Sequence, residues 1–215
     1  MDTHVTFVLD SSGSMSAIED ETKEGFNAFL TDQRAESGTA TVSLYEFDST
    51  VELVYQNRLI EDAPVLDADN YSPGGSTALH DALSRAVAET SELIDAVAAP
   101  EQPENTIVVV LTDGKENASD TTAPEVREQV EHRRDGQEWE FLFIGANQDA
   151  ALTAEEMGMD ESKSLNMAHD GEGTRDAYRS ASESISRARQ DGETGGFTEG
   201  DRRRQDTSDQ SDSTT

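Results

Sequence analysis

Cysteine is absent from the 215 residues, which excludes disulfides, thiolate nucleophiles and Cys-ligated zinc. Lysine is almost absent: Lys23, Lys115 and Lys163 are three of only 16 basic residues, set against 46 Asp and Glu for a formal net charge of -30. Nucleic acids and anionic membranes are polyanions that need basic patches, so this balance argues against both as partners. No apolar run approaches the roughly 20 residues of a membrane span. The start, Met1-Asp2-Thr3-His4, leads into a strand-like stretch without a basic n-region. These absences together set the expectation of a soluble, cytoplasmic protein. Hydrophobic residues are sparse at 33%, a composition that disordered chains share.

The position of the acid separates a disordered chain from a folded one. Residues 191–215 hold seven acids and three arginines, so residues 1–190 still carry -26. Those 190 residues also contain nearly all the large apolar side chains, in periodic blocks. The acid therefore overlies a foldable chain. After Gln190 the one large apolar residue is Phe197, and the expectation is a domain over 1–190 followed by a disordered acidic tail over 191–215.

Val5 to Leu9 reads as a β-branched and aromatic strand stopping at Asp10. Ala40 to Phe47 alternates, with Val42, Leu44 and Phe47 on one side and Tyr45 on the other, and Val51 to Tyr55 follows a short turn, as in a hairpin. Thr106 to Leu111 and Phe141 to Ile144 are apolar on both faces, as central parallel strands must be. Helical periods lie between them. Ser16 and Glu19 match a capping box ahead of Ile18, Phe26, Phe29 and Leu30. Leu79, Leu83, Val87, Thr90, Ile94 and Val97 keep one face, and Thr122 with Glu125 offers a second capping box. Ala150 to Met157 and Ala177 to Ala188 are two more helices, the last with Tyr178, Ala181, Ile185 and Ala188 inward. Alternating strands and helices predict an α/β, Rossmann-like doubly wound sheet, mainly parallel, with helices on both faces and one antiparallel edge strand. Such sheets bind ligands outside the carboxyl ends of their strands.

Three segments reach that edge. Asp10-Ser11-Ser12-Gly13-Ser14 follows the first strand, Pro73-Gly74-Gly75-Ser76-Thr77 opens the longest helix, and Thr112-Asp113-Gly114 follows the fourth strand. Each alone is a common loop or cap; their joint placement is what makes them a candidate site. Two carboxylates and three hydroxyls are hard oxygen donors, suited to Mg²⁺, Mn²⁺ or Ca²⁺ rather than zinc or copper.

On these motifs the chain resembles a von Willebrand factor type A domain, of the small stand-alone kind found in prokaryotes and phages, over about residues 1–190. The resemblance implies a metal-ion-dependent adhesion site formed by Asp10, Ser12, Ser14, Thr77 and Asp113, with Ser76 as the alternative to Thr77 if the register differs by one. It further implies a protein partner whose acidic side chain completes the metal. Residues 143–149 also look like that subgroup. Two other functions remain open: a Mg²⁺-dependent hydrolase or phosphatase at the same edge, for which His80 is the nearest histidine, and a structural module binding through a helix face carrying Arg175, Arg179, Arg187 and Arg189. Against the hydrolase, Ser12 stands where an aspartyl-phosphate enzyme would usually place a second Asp, and neither a G-x-S-x-G elbow nor a P-loop occurs. Glu116 and Asn117 lie where they would rim the site.

A surface rich in Asp and Glu and poor in Lys also resembles the proteins of salt-accumulating haloarchaea and their viruses. At molar salt the Debye length is about 3 Å, so the self-repulsion of such a surface is screened. Cooperative thermal unfolding is accordingly expected in concentrated KCl and lost below a few hundred millimolar; a calorimetric transition unchanged in dilute buffer would refute the halophilic reading.

Overall fold

In a computed structural model, residues 1–146 and 149–211 are described, with side chains through residue 206. Strand β1 (Thr3–Asp10) is buried at every position, as are β4 (Asn105–Thr112) after its first residue and β5 (Glu140–Gly145) throughout. Both faces of these strands are apolar because both are covered. Val5, Phe7, Leu9, Ile107, Val109, Leu111, Leu142 and Ile144 join one core layer, while Val8, Val108, Val110, Phe141 and Phe143 join the other.

The sheet has six strands in the order β3-β2-β1-β4-β5-β6. β2 (Ala40–Phe47) and β4 pair parallel to β1 on either side, and β5 and β6 (Ser164–Asn166) continue in parallel. β3 (Val51–Leu59) is the antiparallel edge, as expected. Strand order reverses between β1 and β4, so their carboxyl ends form the crevice where ligands of such sheets bind. Helices α1 (Glu19–Ala35) and α5 (Gly171–Asp191) cover one face; α2 (Leu79–Asp95), α3 (Ala123–Gln137) and α4 (Ala150–Glu156) cover the other. Phe7 packs edge-on against Phe26, with ring centroids 5.3 Å apart, and lies 4.8 Å from Phe29, which fixes α1 over β1. Burial of each such ring contributes about 1.5–3 kcal/mol.

Local expectations fail where neighbours decide. The chain does not enter α1 through a capping box at Ser16: residues Gly13–Ile18 form a 3₁₀ turn, and no side chain caps α1. Met15 and Ile18 are buried there, so the turn is held by its apolar side chains rather than by a cap. Phe47 lies with Tyr45 in the α2-side core, not with Val42 and Leu44. Strict period-2 parity requires this. Helix α2 ends at Asp95, and Val97 beyond it is exposed. The box at Thr122 and Glu125 does form at the start of α3.

The largest departure is after Gln190. In place of a disordered tail from residue 191, α5 runs to Asp191, the chain turns at Gly192 with φ 93°, and α6 (Glu199–Ser211) follows. Phe197 is 6% exposed within the core that α5 covers. Glu140 accepts the Thr194 N–H at 2.7 Å and its hydroxyl proton, and is paired with Lys163 at 2.6 Å. Arg187 donates to the Thr194 and Gly196 carbonyls, and Arg202 to the Ser164 carbonyl. A polar segment with one large apolar residue is thus ordered by partners supplied from β5, β6 and α5. Residues 147, 148 and 212–215, which belong to two of the sequence expectations, lie outside the described residues.

Replacing Phe197 with Ala is expected to cost about 3 kcal/mol of stability and to lower the denaturant midpoint. A midpoint equal to that of the parent chain would show that this segment adds nothing to the fold.

Candidate metal centre

β1 and β4 run in register, with Leu9 opposite Leu111, so the residues that end them emerge side by side. Asp10 is 0% exposed and Asp113 1%. The Asp10 carboxylate accepts the Thr112 hydroxyl at 2.5 Å and the Ser12 N–H at 2.7 Å. Its backbone carbonyl accepts the Tyr71 hydroxyl at 2.7 Å. Burial pushes the Asp10 carboxyl above the usual carboxylate range and the Asp113 charge adds to this, while the hydrogen bonds from Thr112 and Ser12 pull it down. The Ser14 hydroxyl donates to Asp113 Oδ1 at 2.6 Å and lies 3.2 Å from the Ser12 hydroxyl.

The second segment closes on these two. The Gly74 N–H donates to Ser11 O at 2.8 Å, and the Gly13 N–H to Gly75 O at 3.2 Å. The Thr77 N–H donates to Asn117 Oδ1 at 3.0 Å, and the Asn117 N–H returns to Thr77 O at 3.1 Å. Thr77 is buried and Ser76 exposed. A Cβ on Gly114 would lie 2.7 Å from Thr77 Oγ1 and 3.5 Å from Ser14 Oγ, so the Thr77 hydroxyl faces the same space as Ser14. The structure thereby brings Asp10, Ser12, Ser14, Thr77 and Asp113 to one edge.

The rim expectations resolve differently. Glu116 spends both carboxylate oxygens locally: Oε1 accepts the Ala118 and Ser119 N–H groups, and Oε2 the His80 N–H and the Ser119 hydroxyl. Those bonds hold its carboxyl below the usual range against the opposing effect of burial. His80 Nδ1 sits 3.2 Å from the Thr121 carbonyl, so this histidine braces the β4–α3 loop. The proposed arginine face is divided: Arg175 and Arg179 are exposed, with side chains 50% and 65% accessible, whereas Arg187 and Arg189 are engaged internally. Arg189 is 3% exposed and donates to the Gln33 and Gly38 carbonyls, and Arg187 holds the C-terminal segment. The histidine at the edge is His169, whose Nε2 lies 2.7 Å from Asp113 Oδ2. Nothing in the sequence analysis singled it out. Tyr71 and Thr112, which fix Asp10, were missed as well; Thr112, adjacent to Asp113 at the end of a strand, was the one with a signal.

The chain belongs to the von Willebrand factor type A domain family, which matches residues 4–180. Solved structures with the same fold include proximal thread matrix protein 1 of the mussel byssus, with zinc in its MIDAS motif: 18% identity, 86% of this chain and 46% of that one, TM-score 0.60. A von Willebrand factor type A protein of Catenulispora acidiphila is 14% identical over 84% of this chain and 42% of its own, TM-score 0.56. The pilus adhesin SpaC of Lactobacillus rhamnosus GG, in an open conformation, is 14% identical over 86% of this chain and 30% of its own, TM-score 0.64. The chain spans less than half the length of each of these structures. A search of curated proteins returned no match. Among the described residues, no helix is long and apolar enough to cross a membrane.

The donor set fits a hard divalent cation. Two carboxylates withdrawn from water repel each other, and three neutral hydroxyls beside them supply oxygen without further charge. Among the described residues no group of three or more His, Asp or Glu is arranged to hold a metal, so any such centre depends on the hydroxyls. Gly114→Ala tests that arrangement: the added methyl collides with the end of the Thr77 side chain. It is expected to weaken Mn²⁺ binding by about tenfold, the scale on which misplaced supporting groups act, with little change in the unfolding midpoint.

Proposed function

We propose that this chain is a divalent-metal-binding protein-interaction module, in which Asp10, Ser12, Ser14, Thr77 and Asp113 hold Mg²⁺, Mn²⁺ or Ca²⁺ and a carboxylate from a protein partner completes the coordination. The observation that carries this reading is the meeting of Ser12, Ser14 and Asp113 within 3.2 and 2.6 Å beside the buried Asp10. The bound ion would supply a Lewis-acidic position for an anionic oxygen on an otherwise repelling surface. Everything else is done by the chain. Thr112 and the Ser12 amide keep Asp10 in one orientation, Tyr71 fixes the backbone beneath it, and Asn117 locks Thr77. Ser14 donates its proton to Asp113, which leaves its oxygen lone pairs for a cation. The family is one of binding modules, and a zinc-occupied MIDAS motif in proximal thread matrix protein 1 supports the same edge as the place to look. Binding rather than turnover is favoured because His80 and Glu116 are committed to backbone groups and His169 to Asp113.

Calorimetric titration of Mg²⁺ and Mn²⁺ into chelated protein at high KCl is expected to show one saturable site, abolished by Asp113→Ala. A flat titration of the parent chain would overturn this function. Capture of an acidic partner should require the bound ion, and therefore fail in EDTA and with Asp10→Ala.

A further inference from the structure

The His169 ring is held where it is by more than its contact with Asp113. It stands in the connection from β6 to α5, one residue before Asp170, whose side chain caps α5 by accepting the Gly173 N–H at 2.7 Å. Two residues earlier, the Met167 N–H donates to Gly145 O at 2.9 Å at the end of β5. Between them, Gln205 of α6 straddles the loop: its Oε1 accepts the Ala168 N–H at 2.9 Å, and its Nε2 donates to Gly173 O at 3.1 Å. A Cβ at Gly173 would lie 2.5 Å from Ala168 O, so the loop has no slack against the first turn of α5. The His169 side chain is 27% exposed, so the ring is partly buried at the edge with one side open to solvent.

We infer that His169 is a positioning residue of the metal centre, fixing the orientation of the Asp113 carboxylate for a divalent cation, and that Gln205 extends this centre into the C-terminal helix. The inference rests on the metal-binding reading above. An ionised carboxylate only accepts, so His169 Nε2 is the donor to Oδ2. Ser14 donates to Oδ1. The two bonds pin both oxygens of Asp113 from opposite partners, which removes rotation that the carboxylate would otherwise lose on binding. Partners of this kind typically carry 10- to 100-fold of metal affinity.

The test is Mn²⁺ calorimetry on full-length His169→Ala, His169→Gln and Gln205→Ala, with thermal unfolding of each chelated protein. The expected result is an affinity lower by about 10- to 100-fold in His169→Ala. Gln, which keeps an N–H donor of similar reach, should restore most of it. Gln205→Ala should shift affinity in the same direction by less, and the chelated His169 variants should unfold at the parent temperature. Parental affinity in His169→Ala overturns the positioning role while leaving the metal site standing. Equal weakening by Ala and Gln, with matching loss of stability, overturns it in favour of a purely structural contact. A directly bonded imidazole nitrogen in the electron spin echo spectrum of the Mn²⁺ protein overturns it in favour of ligation. Absence of binding by the parent chain removes the metal-binding reading and this inference together.

Discussion

Parallel pairing of β1 with β4 is the constraint on which the rest depends. Because Leu9 lies opposite Leu111, the strands end together, and Asp10 and Asp113 leave them into neighbouring loops at the point where strand order reverses. A one-residue slip would turn every side chain of one strand to the other face. That would drive Phe7 out from the rings of α1 and carry Asp10 away from Thr112. The apolar layers on both sides of the sheet thus set the distance between two carboxylates that make no direct contribution to either layer.

Placing two acids out of water needs compensation, and the chain provides it in two forms. One is a set of short donors: Thr112, the Ser12 amide, Ser14 and His169 each give a hydrogen to Asp10 or Asp113. The other is rigidity in the loops that carry them. Glu116 and Asp81 bind backbone N–H groups of the β4–α3 loop and of α2, so the acids nearest the edge act as internal staples. Their charge is consumed in local geometry, which leaves the hydroxyl-rich centre as the chemically distinct spot on a strongly anionic molecule.

Arginine plays the complementary part at the far end of the chain. With three lysines in the whole sequence, Arg187 and Arg202 satisfy carbonyls that would otherwise be orphaned where the C-terminal segment crosses α5 and β6, and Arg189, near the end of α5, does the same for the carbonyls that end α1 and lead to β2. The guanidinium fork reaches two or three carbonyls at once, which an ammonium on a flexible stem does less well. Burial lowers the pKa of Arg189, and the carbonyls of Gln33 and Gly38 stand in for the water it loses.

The central strands, the mainly parallel sheet with its antiparallel edge, the inward faces of α1, α2 and α5, and the capping box of α3 were determined by the sequence alone. Each rests on a period of two or 3.6 residues, or on contacts within four residues, and those signals survive without knowledge of distant neighbours. The five oxygen-bearing residues were legible for the related reason that each follows a buried strand or opens a helix. What tertiary structure alone decided is everything held by partners far along the chain. The three residues of β6 are too few to show a period, and the 3₁₀ turn after Ser12 prevails over a valid capping motif because Met15 and Ile18 find a core. Glu140, Arg187 and Gln205 order a C-terminal segment whose composition reads as disordered. His169, 56 residues from Asp113, reaches it only because that segment and α5 grip the loop on both sides. Hydrogen bonds between residues so far apart leave no trace in local composition, since their donors and acceptors become neighbours only once the sheet has formed.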